Sequence, residues 1–392
     1  MAKQQTQSTP PATPVAADTP IKKNLPLVLG AAALVAVVGG AATIAVLQSR
    51  TPSGSPVSVE TPDGTKALSL KPSGDTDITA GGTYLVTGTS TGRLVVDTAD
   101  EVRLILNGVS ITNSQNKAAI KLKGSGKVTL EFQGDNLLTT TGTSDPAAAI
   151  SSEAELVLTG SGTVQIDASG KAIKAVQSLT VDSGTYLITT AEEGLESTYL
   201  YLNGGDLDIT ARDDGINASD KTDTGLTPVL TITGGRIHIN ASGDGLDSNG
   251  NVVMTGGELY IDGPTSSADS AIDYDGTFTL SGGTIIAVGA AGMAQNVSST
   301  EQPSVLINLG QSASGTLEFG PLSYTPSKTY QSVVLSSPDL QLNKTYDLKI
   351  SGTTVQTLTL TENLTGTGHT GGPGAMRPDD MKRPEGGFHG RF

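Results

Sequence analysis

The sequence predicts an all-β protein whose main part is a right-handed, single-stranded parallel β-helix, a solenoid of stacked coils. Short runs with strand character alternate with turn residues, and no amphipathic helix of convincing length interrupts them. A small residue followed by an aliphatic one recurs at intervals of 30, 23, 22, 21, 30 and 26 residues, about the length of one coil. These anchor pairs are Ala119-Ile120, Ala149-Ile150, Ala172-Ile173, Gly194-Leu195, Gly215-Ile216, Gly245-Leu246 and Ala271-Ile272.

A β-sandwich is the competing prediction, since it also uses many short strands. The strands of a sandwich need not repeat in sequence, so the recurring pair favours the solenoid. We place the β-helix at residues 59–304. Residues 305–364 keep strand character without the pair, and we predict that they form a β cap on the last coil. Residues 365–392 are rich in Gly, Pro and Met and are predicted to be disordered.

An apolar run precedes the β-helix. Leu25–Leu47 carries no charge and, at about 1.5 Å per residue, is long enough to cross a hydrocarbon core of about 30 Å. Lys22 and Lys23 lie just before it, which predicts a single-pass membrane protein with its N-terminus inside and an extracellular ectodomain. Cleavage of the run as a signal peptide would instead release a secreted protein. The predicted segments are a disordered cytoplasmic tail (1–23), a transmembrane anchor or signal-anchor (24–47) and a linker (48–58).

The composition limits the partners. The 392 residues include 24 Lys and Arg against 39 Asp and Glu, a formal net charge of -15. This charge argues against nucleic acid as a partner and favours cations. The chain has no Cys, so disulfides are excluded and stability outside the cell must come from stacking or bound ions.

Carboxylates or amides flank the last four anchor pairs, which predicts acidic ladders along the stacked coils. Successive strands lie about 4.8 Å apart, so aligned carboxylates face one another at close range. Asp, Asn and Gly are also common turn residues, which is the simpler interpretation of any single phrase. Paired carboxylates in four successive phrases, with oxygen as the only donor, favour Ca²⁺. The predicted ligands are Asp213, Asp214, Asn217, Asp244, Asp247, Asp273 and Asp275, with Glu193 and Glu196 at the edge of the array.

These phrases, with the Gly-Gly runs that follow them, carry a family resemblance. They are Asp213–Ala218, Ile232–Gly235, Gly243–Gly250, Thr255–Gly257, Ala271–Gly276 and Ser281–Gly283. They resemble a bacterial surface family described as carbohydrate-binding domain-containing proteins, which are calcium-binding parallel β-helices related to pectate and other polysaccharide lyases. The resemblance covers Leu68 to Lys349. It implies binding of cellulose-like or acidic, uronate-containing polysaccharide, from plant cell walls or other extracellular glycan, with calcium on the coil turns.

The expected function is therefore calcium-dependent polysaccharide binding at the cell surface. One alternative is a polysaccharide (pectate) lyase that acts by β-elimination, for which Arg212, Lys221 and Arg236 are candidate bases. A second alternative is a stalk or adhesin in which calcium is purely structural. No catalytic residue is assigned, and His238, which alternates with isoleucines, is interpreted as an ordinary strand residue. The predicted ligand-binding residues are Tyr199, Tyr201, Lys221 and Arg236.

Overall fold

The computed structural model of the chain describes residues 56–124, 126–142, 148–220 and 225–366. These residues form β-strands joined by turns, without a helix. The described part of the chain therefore offers no helix that could cross a membrane. The predicted tail (1–23), anchor (24–47), nearly all of the linker (48–58) and nearly all of the C-terminal tail (365–392) lie outside these residues, so those assignments stay predictions.

Twenty-two strands build the coils in the described residues. They are β1 (Lys66–Ser69), β2 (Asp75–Ile78), β3 (Gly82–Ser90), β4 (Arg93–Val96), β5 (Val102–Asn113), β6 (Ile120–Leu122), β7 (Val128–Gln133), β8 (Asp135–Thr140), β9 (Ile150–Ser152), β10 (Leu156–Gly160), β11 (Thr163–Ala168), β12 (Ile173–Val181), β13 (Thr185–Ala191), β14 (Leu195–Leu202), β15 (Asp206–Ala211), β16 (Ile216–Ala218), β17 (Val229–Ile232), β18 (Arg236–Ala241), β19 (Leu246–Ser248), β20 (Asn251–Asp262), β21 (Ile272–Tyr274) and β22 (Phe278–Gly289).

The coils stack in parallel, which confirms the predicted all-β parallel solenoid and excludes the sandwich. Each strand pairs with the equivalent strand of the next coil, so the strands form three stacks. The right-handed sense of the coil stays a prediction. The first stack, here called the anchor stack, consists of β2, β4, β6, β9, the first part of β12, the first part of β14, β16, β19 and β21.

The predicted anchor pairs stack in register. The aliphatic residue of each pair is the direct partner of the next one along the stack, from Ile120 through Ile272, and each is almost completely buried. Alternate side chains of a strand point to opposite faces, so the anchors fill the interior while the residues beside them face outward. The anchors thereby join one continuous hydrophobic core that runs through the coils.

Glycine is required where coils approach closely. A Cβ on Gly215 would collide with Ile239 Cγ2 and would lie 2.5 Å from the Gly245 carbonyl oxygen. The second glycine of each recurrent Gly-Gly step adopts a positive φ, for example 83° at Gly235 and 84° at Gly257, which side chains disfavour. These steps connect the second stack, which includes the second part of β14, β17 and the first part of β20, to the third stack, which includes β15, β18 and the second part of β20.

Antiparallel strands follow the last parallel coil. β27 pairs antiparallel with both β22 and β24, and β26, β25, β28 and β29 form a separate four-stranded sheet. Ile286 and Val288 of β22 share a second hydrophobic core with this segment. Residues of the predicted cap therefore pack against β22. The strands are β23 (Ser299–Thr300), β24 (Ser304–Ala313), β25 (Leu317–Phe319), β26 (Leu322–Tyr324), β27 (Tyr330–Ser336), β28 (Thr345–Ile350), β29 (Thr353–Thr359) and β30 (Leu364–Thr365).

Candidate functional site

The outward face of the anchor stack carries an acidic ladder. Strand register aligns Glu196 with Asn217, Asn217 with Asp247, and Asp247 with Asp273. Each of these residues directly follows a buried anchor, so its side chain points away from the core. The column predicted after the anchors is therefore continuous over four coils.

A second column precedes the anchors. The amide of Gly194 donates to the carbonyl oxygen of Asp214, and the amide of Gly215 donates to that of Asp244. The amide of Gly245 continues the series with the carbonyl oxygen of Ser270. These bonds hold the acidic residues of successive coils beside one another. Acidic side chains consequently flank the same Gly-aliphatic step from both sides.

The first acidic group consists of Glu193, Asp213 and Asp214. Each offers a carboxylate oxygen within 4.8 Å of those of the other two. Glu193 is only 6% exposed, and its Oε2 is buried without a hydrogen-bond partner. Beside this group, Asn217 is 3% exposed; its Nδ2 donates to Asp214 Oδ2 at 3.2 Å, while its Oδ1 is buried without a partner. Two buried oxygen acceptors that lack donors are what a bound cation would satisfy.

The second acidic group consists of Asp244, Asp247 and Asp273, all half-buried, with carboxylate oxygens again within 4.8 Å of one another. The amide of Ser270 donates to Asp244 Oδ1 at 2.5 Å, and Gln295 Nε2 donates to Asp273 Oδ1. These bonds fix two of the three carboxylates in place. The donor set contains oxygen atoms only, which suits a hard cation such as Ca²⁺.

The second group accumulates negative charge. Burial, with a smaller effect from the carboxylates of Asp273, Asp214 and Asp247, raises the pKa of Asp244 to about 8 although the hydrogen bond from the Ser270 amide lowers it. The carboxyl group of Asp244 therefore holds a proton near neutral pH when no cation is present. A proton or a metal ion relieves the same repulsion.

Two lysines reach the other end of the ladder. Lys171 Nζ lies 2.5 Å from Glu193 Oε1 and also pairs with Glu196 Oε2, while Lys174 Nζ lies 2.7 Å from Glu196 Oε1. Burial by itself would raise the pKa of Glu196, but the two ammonium groups hold it below its usual value. Glu196, predicted as a metal ligand, is thus placed between two lysines. The column alignment extended by one coil would have revealed this, because Lys171 and Lys174 occupy the positions of Glu193 and Glu196.

Three other predicted residues lie apart from the acidic groups. Asp275 is exposed and belongs to neither group. Tyr199 and Tyr201 lie on the second strand stack, where Tyr201 is 37% exposed and has Thr180 and Thr231 as register partners. Tyr201 therefore presents its ring to solvent on the face next to the acidic ladder.

Arg236 lies on the third strand stack, remote from the ladder in the register. Its guanidinium lies 3.5 Å from Asp206, 4.0 Å from Glu258 and 5.5 Å from the centre of the Tyr260 ring. The structure thus gives this predicted ligand-binding residue local partners. Lys221, the remaining one, lies outside the described residues.

The sequence interpretation of His238 as an ordinary strand residue misses its contact with the cap. Its Nδ1 lies 2.9 Å from Asp208 Oδ1, and its Nε2 lies 3.1 Å from the hydroxyl of Tyr324. That hydroxyl donates to Asp262 Oδ1 at 2.7 Å. Burial alone would lower the pKa of His238, but Asp208 and Asp262 raise it to about 9. His238 therefore joins the solenoid to the cap; no sequence signal links it to a tyrosine 86 residues away.

Comparison with known proteins decides the family. A family model for carbohydrate-binding domain-containing proteins matches residues 73–299, more than half of the chain. The chain belongs to this family. The matched region of this carbohydrate-binding domain includes both acidic groups and the lysines beside them, and the family resemblance inferred from the repeated phrases is confirmed.

One solved structure is also similar to this carbohydrate-binding domain-containing protein. It is described as the polysaccharide lyase-like protein from C. thermocellum, gadolinium derivative, and it is 27% identical. The match covers 52% of this chain and 81% of that chain, with a TM-score of 0.40. Among curated proteins no match is found.

Proposed function

We propose that this protein binds uronate-containing polysaccharide through calcium held on the acidic ladder. The observation that carries the proposal is the first acidic group, where buried oxygens of Glu193 and Asn217 lack a donor beside two further carboxylates. A second all-oxygen group lies further along the same stack. The membership of the chain in a carbohydrate-binding domain family supports polysaccharide as the partner.

The spacing of the carboxylates supports a divalent cation. Two unit charges 4.8 Å apart repel by about 0.9 kcal/mol in water and by about 3.5 kcal/mol at an effective dielectric constant of 20. Each group contains three such pairs when fully ionised. The residues that would hold calcium are Glu193, Asp213, Asp214 and Asn217 in the first group and Asp244, Asp247 and Asp273 in the second.

The acidity of the protein makes a cation useful for binding an acidic glycan. A chain of net charge -15 repels a polyuronate, whereas bound calcium supplies positive charge that also accepts carboxylate oxygens of a ligand. The chain's own contribution is to keep the carboxylates in register. Backbone bonds between coils and the side-chain bonds from Ser270 and Gln295 do this.

The contacts of two of the candidate bases, Arg212 and Arg236, favour binding over lyase chemistry. The Arg212 guanidinium donates to the hydroxyl of Thr190 and the carbonyl oxygen of Ser169. Arg236 lies between Asp206 and Glu258. A base for β-elimination must be able to lose its proton, which the guanidinium group of arginine does not readily do. We further propose, from the apolar Leu25–Leu47 run, that binding takes place at the cell surface.

Isothermal titration of calcium, followed by polygalacturonate, tests the proposal. We expect polygalacturonate to bind the calcium-loaded protein and not the protein in EDTA. The double variant Asp247→Asn/Asp273→Asn should weaken both steps, while Asp275→Asn, outside both acidic groups, should leave them unchanged. Calcium binding without any glycan binding would favour a structural stalk, and absence of calcium binding would refute the proposal.

A further inference from the structure

Ion pairs between neighbouring coils are a regular feature of the first part of the solenoid. In each pair a basic side chain on one coil contacts a carboxylate on the next or the preceding coil, as the strand register shows. Such contacts neutralise carboxylates without any bound ion. The pairs are Arg93–Asp75 at 2.9 Å, Lys123–Asp97 at 3.8 Å, Arg103–Glu131 at 2.5 Å, Lys121–Glu153 at 2.7 Å, Lys127–Glu155 at 2.9 Å, Lys171–Glu193 at 2.5 Å and Lys174–Glu196 at 2.7 Å.

The last of these pairs differ from the others in burial. The side chains of Glu193 and Glu196 are 7% and 2% exposed, whereas the carboxylate side chains of the other pairs are between 14% and 59% exposed. The Lys171 ammonium contacts both buried glutamates, which flank the Gly194-Leu195 step from its two sides. In the coil of Gly245, the residues at these two positions are Asp244 and Asp247, members of the second acidic group. One ammonium therefore occupies the place between two carboxylates that flank a single anchor.

We infer that Lys171 fills a cation position of the ladder and, with Lys174, sets the boundary at which the ion array begins. Both oxygens of Glu196 are taken by lysines, so Glu196 is not a metal ligand. Glu193 is the boundary residue, because its Oε1 contacts Lys171 while its Oε2 is the buried oxygen without a donor beside Asp213 and Asp214. In the coils before the boundary, ammonium and guanidinium groups of the chain itself contact the paired carboxylates.

Two consequences follow from this boundary. Chelation of divalent cations should leave the coils of residues 75–175 unchanged, because the carboxylates of the ion pairs named above keep their basic partners. Removal of the Lys171 ammonium leaves Glu193 without its basic partner and Glu196 with Lys174 alone, and opens a new site for a divalent cation at this coil. The inference depends on the proposed function only for the identity of the ions in the array, whose first position lies beside the two lysines.

The first experiment counts bound ions. Calcium and terbium titrations of the full chain should show one more bound ion for Lys171→Met than for the unchanged protein. Lys127→Met is the matched control, since it removes an ammonium from an exposed pair with Glu155, and it should not change the count. An unchanged count for a folded Lys171→Met protein overturns the inference, whether or not the unchanged protein binds calcium.

A second experiment needs no variant and covers the case in which Lys171→Met does not fold. Hydrogen exchange read by mass spectrometry compares the protein in calcium and in EDTA. Calcium is supplied at a hundred times its dissociation constant. Chelation should then speed hydrogen exchange about a hundredfold wherever local opening of the backbone releases the ion. We expect this region to extend from Asp213 to Asp275. Exchange over residues 75–175 should not change. Equal acceleration in both regions overturns the boundary, whereas a lack of calcium binding by titration refutes the proposed function instead.

Discussion

Replacement of Asp247 by Asn should change stability with opposite signs in EDTA and in calcium. The carboxylate oxygens of Asp244, Asp247 and Asp273 lie within 4.8 Å of one another, so each ionised pair costs at least about 0.9 kcal/mol. At pH 9 the carboxyl group of Asp244, whose pKa is about 8, is mostly ionised. Asp247→Asn removes two of the three repulsive pairs and should stabilise the chelated protein by about 2 kcal/mol.

In calcium the same substitution removes a charged ligand. A cation at a thousand times its dissociation constant stabilises the folded state by about 4.1 kcal/mol, and loss of the site forfeits more than the gain of about 2 kcal/mol from relieved repulsion. The assay is urea unfolding at pH 9 in both buffers. Asp275→Asn, which makes the same charge change on an exposed residue outside the group, should show no reversal. If Asp247→Asn shifts stability in one direction in both buffers, the group does not bind calcium.

Two further predictions concern packing and pH. Gly215→Ala should lower the free energy of unfolding by about 1–3 kcal/mol, because the new Cβ collides with the next coil. Urea unfolding checks this against the control Gly289→Ala, where the nearest atom to the new Cβ would be 3.3 Å away. Equal losses of stability in the two variants would contradict the prediction. The pKa of His238 rises from 6.5 to about 9 on folding. Its contribution of roughly 3 kcal/mol to the free energy of unfolding is therefore fully present below pH 6.5 and is lost as the pH rises through about 9. Urea unfolding between pH 6 and 10 should show this decline, and His238→Gln should flatten it; a decline of the same size in the variant would assign it to other groups.

The sequence was sufficient to predict the solenoid and the ladder. Anchor pairs spaced by about one coil predicted which residues stack, and the register from Ile120 to Ile272 confirms the alignment. The same alignment placed Asp247 beside Asp273. This succeeds because a repeat converts a long-range contact into a fixed offset along the chain.

Contacts that the repeat does not encode could not be predicted. His238 meets Tyr324 of the cap, which lies beyond the last anchor pair and has no fixed offset from the coils. The burial of Glu196 between lysines has a different origin, because Lys171 and Lys174 belong to the preceding coil, which lacks the acidic phrase. The charge of Arg236, which makes it a candidate ligand-binding residue, is partly neutralised by its neighbours Asp206 and Glu258.

We propose that calcium on the acidic ladder holds an acidic polysaccharide. The most direct test is retention of the protein on immobilised polygalacturonate, in calcium and in EDTA, while ultraviolet absorbance reports any unsaturated product. We predict retention in calcium, release in EDTA and constant absorbance. Equal retention in EDTA would contradict the role of calcium, and rising absorbance would show that the protein is a lyase.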